Sequence, residues 1–362
     1  RDGASGWRPR GHDTGDPTDA PAHRRRPSPL ARAVVAVVLI GALAATIQIR
    51  RDRGDDASEA MPAALAGQPE VGRMQAEEGA AFDAMVPDRQ LGWVLPQSSP
   101  GKLVAVEHGH RRTLANGDAG PVVWIFGGSA AWGSGQRDGH TIAAELSRLA
   151  AASRRPIRVV NFGVFAYTAA QEAAAFERAT NEHDPPNLVI FYDGYNDVEV
   201  SMVGQLEGLP AGSEAVAPLT VLRGSRVLHR EEGQPATTTD GRVAGVIAAY
   251  ARAMSAARST AQAHGVEVVQ VWQPNAFTRD LTAMERQDLE DRGYSADIVS
   301  AHAELHAKIR AALPAEVIDL SDALDDAPTV YLDPVHTSER GAAIVAAALY
   351  RQINSTLDHL GR

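Results

Sequence analysis

The sequence contains no cysteine. Disulfides, thiolate zinc sites and thiol catalysis are therefore excluded, although an exported protein can do without disulfides, so the compartment stays open. Lysine is confined to Lys102 and Lys308, while arginine and alanine abound, a bias that suggests a high-GC genome. Basic excess is also missing: the net charge is -10. A nucleic-acid binder usually carries a basic stripe, so that class is disfavoured. No Gly-Lys-Ser/Thr tripeptide occurs, and Gly133, Gly135 and Gly139 do not make G-x-G-x-x-G. A nucleotide-binding reading thus lacks its phosphate cradle.

What is present is 362 residues with 44% hydrophobic content, enough for one large α/β domain plus extra segments. Residues 1–29 are rich in Arg, Asp, Gly and Pro and are expected to be disordered. Residues 30–49 form an apolar run with Arg32 as its only charge. As a helix the run is about 30 Å long, just enough to span a bilayer. Arg24, Arg25 and Arg26 precede it and Arg50, Arg51 and Arg53 follow, so flanking charge orients it weakly. We expect a single span with the large domain on the extracytoplasmic side of the cell membrane. A signal peptide cleaved near residues 42–45 is the alternative. Residues 50–85 are expected to be a juxtamembrane linker with a short helix, and residues 86–121 a lead-in with a strand-like patch at 103–106.

Alternation begins at residue 122. Apolar runs at 122–126, 157–161, 188–192, 266–272 and 317–320 predict strands. Helical patterns at 141–152, 169–180, 243–264, 301–312 and 338–357 separate or follow them. Strand-helix alternation means a parallel sheet covered on both faces, an α/β/α sandwich over residues 122–362. Residues 200–242, rich in Gly, Pro and Thr, interrupt the pattern and are expected to be a lid or rim. No internal repeat is found.

Ligands of open parallel sheets bind outside the carboxyl ends of the strands. Three polar segments fall there: Gly127-Gly128-Ser129, Asn161-Phe162-Gly163 and Asp193-Gly194-Tyr195-Asn196-Asp197. A fourth, Asp333-Pro334-Val335-His336, precedes the last helix. Positions i and i+3 share a face in a helical turn, so Asp333 is expected to orient His336. A serine on a glycine turn, two oxyanion donors and an oriented histidine together make an acyl-transfer site.

In order and spacing these blocks resemble the SGNH, or GDSL, hydrolase family across roughly residues 120–357. The resemblance matches Ser129, Gly163, Asn196 and His336 to the family's Ser, Gly, Asn and His, with Asp333 as the triad acid. It implies a three-layer α/β/α fold and a serine esterase with no metal or organic cofactor. Ser129, Gly163 and Asn196 would form the oxyanion hole. Gly128 departs from the pattern, since the family often has Asp there. That Asp is not the triad acid, so the departure weakens the first block as a signature without removing the chemistry.

Trp132, Gln273 and Asn275 are candidates for contact with substrate, each set against a packing role. Asp193 and Asp197, flanking Asn196, are candidates for substrate contact, with a buried turn-capping role favoured for both. His108 and His110 have no carboxylate at suggestive spacing and are expected in a solvated loop. Asp322, Asp325 and Asp326 read as a solvated acidic turn. The expected substrate is an acylated glycan, a lipid or a small ester, with an envelope O-acetyl group favoured. An O-acyltransferase using the same acyl-enzyme, and a non-catalytic glycan-binding module on this fold, are the rivals.

Overall fold

The computed structural model of the protein describes residues 62–114, 120–202, 238–292 and 294–360. The expected disordered tail, the membrane span at 30–49 and most of the expected lid lie outside these residues. No helix among the described residues is long and apolar enough to cross a membrane.

In chain order the elements are α1 (Val71–Asp83), β1 (Val86–Asp88), β2 (Gly92–Val94), β3 (Ser98–Ser99), β4 (Val106–Glu107), β5 (His110–Arg111) and β6 (Val122–Gly127). Then come α2 (Ser129–Trp132), α3 (Ile142–Ala152), β7 (Arg158–Asn161), α4 (Ala169–Glu182), β8 (Leu188–Asp193), α5 (Tyr195–Ser201) and α6 (Thr239–His264). The chain ends with β9 (Glu267–Trp272), α7 (Ala283–Asp291), α8 (Ala296–Ala311), β10 (Ile318–Asp319) and α9 (Glu339–Leu360).

The main sheet runs β10-β9-β8-β6-β7-β5-β4-β3. The first five of these strands are mutually parallel. Strands β6 and β8 are apolar along nearly their whole length and almost completely buried, as expected for strands covered on both faces. β6 is flanked by β7 on one side and β8 on the other, so the chain reverses its direction of travel across the sheet there. Right-handed crossovers then send the intervening helices to opposite faces. Accordingly α9 packs on α3, and α6 packs on α4. The reversal opens a crevice at the carboxyl end of β6.

The sheet is mixed rather than wholly parallel, because β3, β4 and β5 add an antiparallel extension beyond β7. These strands are two residues long, too short to leave a hydrophobic period, and the expected patch at 103–106 is a strand only at its last residue. The lead-in at 86–121 is joined to the residues that follow by buried contacts. Trp93 Nε1 donates to the Phe165 carbonyl at 2.9 Å, and Tyr167 Oη donates to the Trp93 carbonyl at 2.6 Å. Arg111 and Asp138 form an ion pair of 2.6 Å with both side chains wholly buried. The linker helix expected within 50–85 is α1. Its Glu77 accepts the Leu103 and Val104 N–H groups, and its Glu78 accepts that of Gly135.

Two helices start earlier than their apolar patterns. α6 begins at Thr239 because the Thr238 side chain accepts the Gly241 N–H. α8 begins at Ala296 because Ser295 caps it through Ile298. Such side-chain caps satisfy orphan donors before the apolar period starts. The polar helix α7, with Leu289 as its only buried residue, left no apolar stripe to find. His110 is buried against Phe162, with ring centroids 4.3 Å apart, not solvated as expected. His108 is exposed, and Asp322 pairs with Arg310.

Candidate active site

Ser129 is the first residue of α2, directly after β6. A helix start leaves its first backbone N–H groups without intrahelical acceptors. Gly128 precedes it in an extended conformation, and a Cβ at that position would overlap Asn196 Nδ2. Glycine here lets the Asn196 amide lie against the nucleophile turn, where the resemblance anticipated Asp.

His336 reaches this turn from the far end of the chain. Its Nε2 lies 2.7 Å from Ser129 Oγ, and its Nδ1 lies 2.5 Å from Asp333 Oδ2. With Asp333 as acceptor, Nδ1 carries the proton and Nε2 faces the hydroxyl as acceptor, a tautomer assigned from the hydrogen-bond network. The expected helical turn is absent: residues 331–337 form a loop closed by a bridge between Tyr331 and Thr337. Asp333 Oδ1 accepts the N–H groups of Val335 and His336 at 2.9 and 2.8 Å. Asp-initiated turns of this kind use the side chain in place of a backbone carbonyl. Burial alone would raise the Asp333 carboxyl. Electrostatic attraction to the His336 ring, the hydrogen bond to that ring and the two backbone N–H groups outweigh that and hold it well below the usual carboxylate range. The Asp333 and His336 side chains remain 24% and 23% exposed, so the cluster is open to a substrate.

Gly163 does not take the expected position. Its N–H donates to Asn161 Oδ1 at 2.9 Å, and Asn161 Nδ2 donates to the Ala131 carbonyl at 2.8 Å. The glycine is needed for packing, since a Cβ there would overlap the backbone nitrogen of Trp132. Asn196 Nδ2 donates to the Tyr167 carbonyl at 2.8 Å, which leaves its second amide hydrogen for a ligand. Between these, Ala166 has φ 59, a left-handed conformation uncommon outside glycine and often found at functional sites. Its N–H has no acceptor among the described residues. Nothing in the sequence marks Ala166, because alanine carries no signature of positive φ.

Three of the substrate-contact candidates belong to the interior. Trp132 is wholly buried, with Arg111 4.7 Å above its ring and Phe165 against it. Gln273 is buried and continues the strand pairing by donating its N–H to the Asp193 carbonyl at 3.0 Å. Asn275 Oδ1 accepts the Phe277 N–H at 3.0 Å. Its neighbour Ala276 donates to the Pro334 carbonyl at 2.7 Å, so this segment buttresses the Asp333 loop.

Behind Asn196 lies a second layer of acids. Asp193 faces Glu172 and Tyr250 rather than capping a turn; burial and then the Asp197 charge raise its carboxyl, while burial and then the charges of Asp193 and Asp197 raise that of Glu172. Asp197 does cap: both its oxygens lie 3.3 Å from the Ala169 N–H at the start of α4. Glu199 is pushed up to about 8 by burial, with its Oε1 3.2 Å from His302 Nδ1. No group of three or more His, Asp or Glu among the described residues is placed to hold a metal ion.

No family model and no curated protein matches the sequence. Solved structures do resemble it in part. A member of the lipolytic protein G-D-S-L family from Veillonella parvula is 16% identical over 65% of this chain and 98% of its own, with a TM-score of 0.38. The acetyl xylan esterase AlAXEase is 15% identical over 64% and 99%, with a TM-score of 0.38. The psychrotrophic esterase EstA from a Pseudoalteromonas species is 12% identical over 66% and 99%, with a TM-score of 0.36. Likeness at this level carries no argument about activity, so the chemistry rests on the side chains themselves.

Proposed function

We propose that the protein is a serine esterase that hydrolyses O-acyl esters through Ser129, His336 and Asp333. The observation that carries this reading is the continuous contact from Asp333 Oδ2 through both ring nitrogens of His336 to Ser129 Oγ, at 2.5 and 2.7 Å. Ser129 Oγ attacks the ester carbonyl while His336 Nε2 takes its proton, and Asp333 stabilises the imidazolium that forms. The tetrahedral oxyanion is met by the Ser129 N–H at the start of α2 and by the free amide hydrogen of Asn196. The unengaged N–H of Ala166 is the third donor, in place of Gly163. His336 then returns the proton to the leaving alkoxide, giving an acyl-Ser129 and an alcohol. A water deprotonated by His336 attacks the acyl-enzyme in turn, releasing the acid and restoring Ser129.

The proposed substrate is an O-acylated glycan or lipid of the cell envelope, an O-acetyl group above all. This fits a domain carried outside the membrane by an anchor at residues 30–49. A fluorophosphonate probe tests the nucleophile: it should label wild type and leave Ser129→Ala unlabelled. Labelling that persists in the variant would place the nucleophile elsewhere. Salt-washed membranes test the anchor, since the full chain should remain with them and a mature form cut near residue 45 should not.

A further inference from the structure

The loop carrying His336 is held on one side by its own hydrogen bonds and by Ala276. Its other side is held by the segment that follows Ser129. Gln136 Nε2 donates to the Thr337 carbonyl at 2.8 Å and approaches Thr337 Oγ1 at 3.2 Å. Arg137 grips Glu339 with Nε and Nη2, each at 2.6 Å, and its backbone N–H adds a third contact at 3.1 Å. The path from Gln136 back to the nucleophile is short and rigid. Gln136 N–H donates to the Gly133 carbonyl at 3.1 Å, and the Gly133 and Ser134 N–H groups both donate to the Ser129 carbonyl, at 2.9 and 3.1 Å. The Gln136 carbonyl is itself fixed by Arg111 Nη2 at 2.6 Å. Gln136 is 1% exposed, so water does not compete for these bonds.

We propose that Gln136, with Arg137 beside it, is a positioning residue that sets where the His336 imidazole meets the Ser129 hydroxyl. The residue after His336 is tied to the loop after Ser129, so the two reacting groups share one frame although they lie on different elements. This rests on the esterase reading. Without Gln136 the Thr337 carbonyl loses its buried donor and the loop is free to shift. Displacement by about 1 Å at such a contact costs on the order of 100-fold in rate.

The experiment measures p-nitrophenyl acetate turnover and the rate of fluorophosphonate labelling on the full chain. Gln136→Met keeps the length and removes the donor. It should lower kcat and the labelling rate together, by roughly 10- to 100-fold, with KM within about 2-fold, the pattern of an interaction realised in the transition state. Gln136→Glu keeps the shape, and only its neutral acid form donates to Thr337. Its kcat relative to wild type should fall as pH rises, at temperatures where circular dichroism shows both fully folded. A packing role leaves that ratio flat. Arg137→Met lies at a partly exposed position and should lower kcat several-fold, which carries the test if the Gln136 variants do not fold. Wild-type kcat and labelling rate in the folded variants would overturn the inference while wild type still labels at Ser129. A wild type that does not label at all would instead overturn the esterase reading.

Discussion

His336 Nε2 lies 2.7 Å from Ser129 Oγ across 207 residues of sequence. The contact exists because β6 ends where the sheet reverses direction, and because the loop before α9 returns to that same edge. Neither element makes a site alone. The predictions below follow from how each is held.

Asp333→Asn should keep the fold and lose about 10⁴-fold in kcat, since an amide can present its NH₂ to the ring and impose the wrong tautomer. The amide oxygen can still accept the Val335 and His336 N–H groups, so circular dichroism and thermal midpoint should change little. Near-normal turnover in this variant would refute Asp333 as the orienting acid.

The pH profile should show a single ionisation on its acid side. The Asp333 carboxyl is held below its ordinary value. A depressed carboxyl contributes stability that is present above its unfolded value, roughly 3.9, and is lost as pH falls through the lower folded value. Asp333 therefore stays ionised wherever turnover is measurable, so the acid-side ionisation is not that of the triad carboxylate. A plot of log kcat/KM against pH should rise with unit slope and level off. A slope of two would mean that a second group has been overlooked.

Gly128→Ala should disable the oxyanion side without touching the Ser129–His336 contact. The added Cβ overlaps Asn196 Nδ2 and must push the amide away. Loss of one oxyanion donor costs about 10² to 10³ in kcat in comparable sites. Steady-state kinetics should show that loss with KM little changed, and Asn196→Ala should match it. If Gly128→Ala and Asn196→Ala were combined, the effects should not add.

Asp138→Ala should destabilise the domain by about 3 to 5 kcal/mol, the range for breaking a buried pair from one side. It leaves Arg111 buried without its carboxylate, and it removes the partner of Arg112 Nη2 at 2.7 Å. Urea unfolding of the full chain reads this as a lowered midpoint. An unchanged midpoint would show that Arg111 finds enough elsewhere, from the Gln136 carbonyl and the Trp132 ring.

Glu199→Gln should change how stability depends on pH. The folded chain holds a proton on Glu199 up to about pH 8, whereas an unfolded glutamate releases it near roughly 4.3. Between these values the folded state binds the extra proton, so this group makes stability fall as pH rises. Relative to Glu199→Gln, wild type should be most stable near pH 4 and least stable at pH 8 and above. Urea midpoints across that range test it, and a constant difference between the two proteins would count against a buried neutral Glu199.

Much of the layout was legible in the sequence because it depends on local periodicity. The apolar runs at β6, β8 and β9 and the helical pattern of α3, α4 and α9 fall within a few residues of their expected limits. Ser129 and Asn196 stand out because polar residues after buried strands contrast with apolar ones, and Asp333 and His336 because of their spacing before the last helix. Tertiary structure alone decided what has no local signal. Strands β3 to β5 are defined by their pairing partners, not by any period of their own. The Asp333–His336 pair could be anticipated from its spacing, but its geometry comes from an Asp-initiated turn rather than a helix. Gly163 was assigned a ligand-facing N–H, and Asn161, two residues away, occupies it. Ala166 stands in a left-handed conformation that no property of alanine announces. Trp132, Gln273 and Asn275 turned inward because burial depends on what packs against a strand end, and sequence gives the residue without its neighbours. Residue type and spacing thus fixed which groups were available for chemistry, and long-range packing determined which of them face one another.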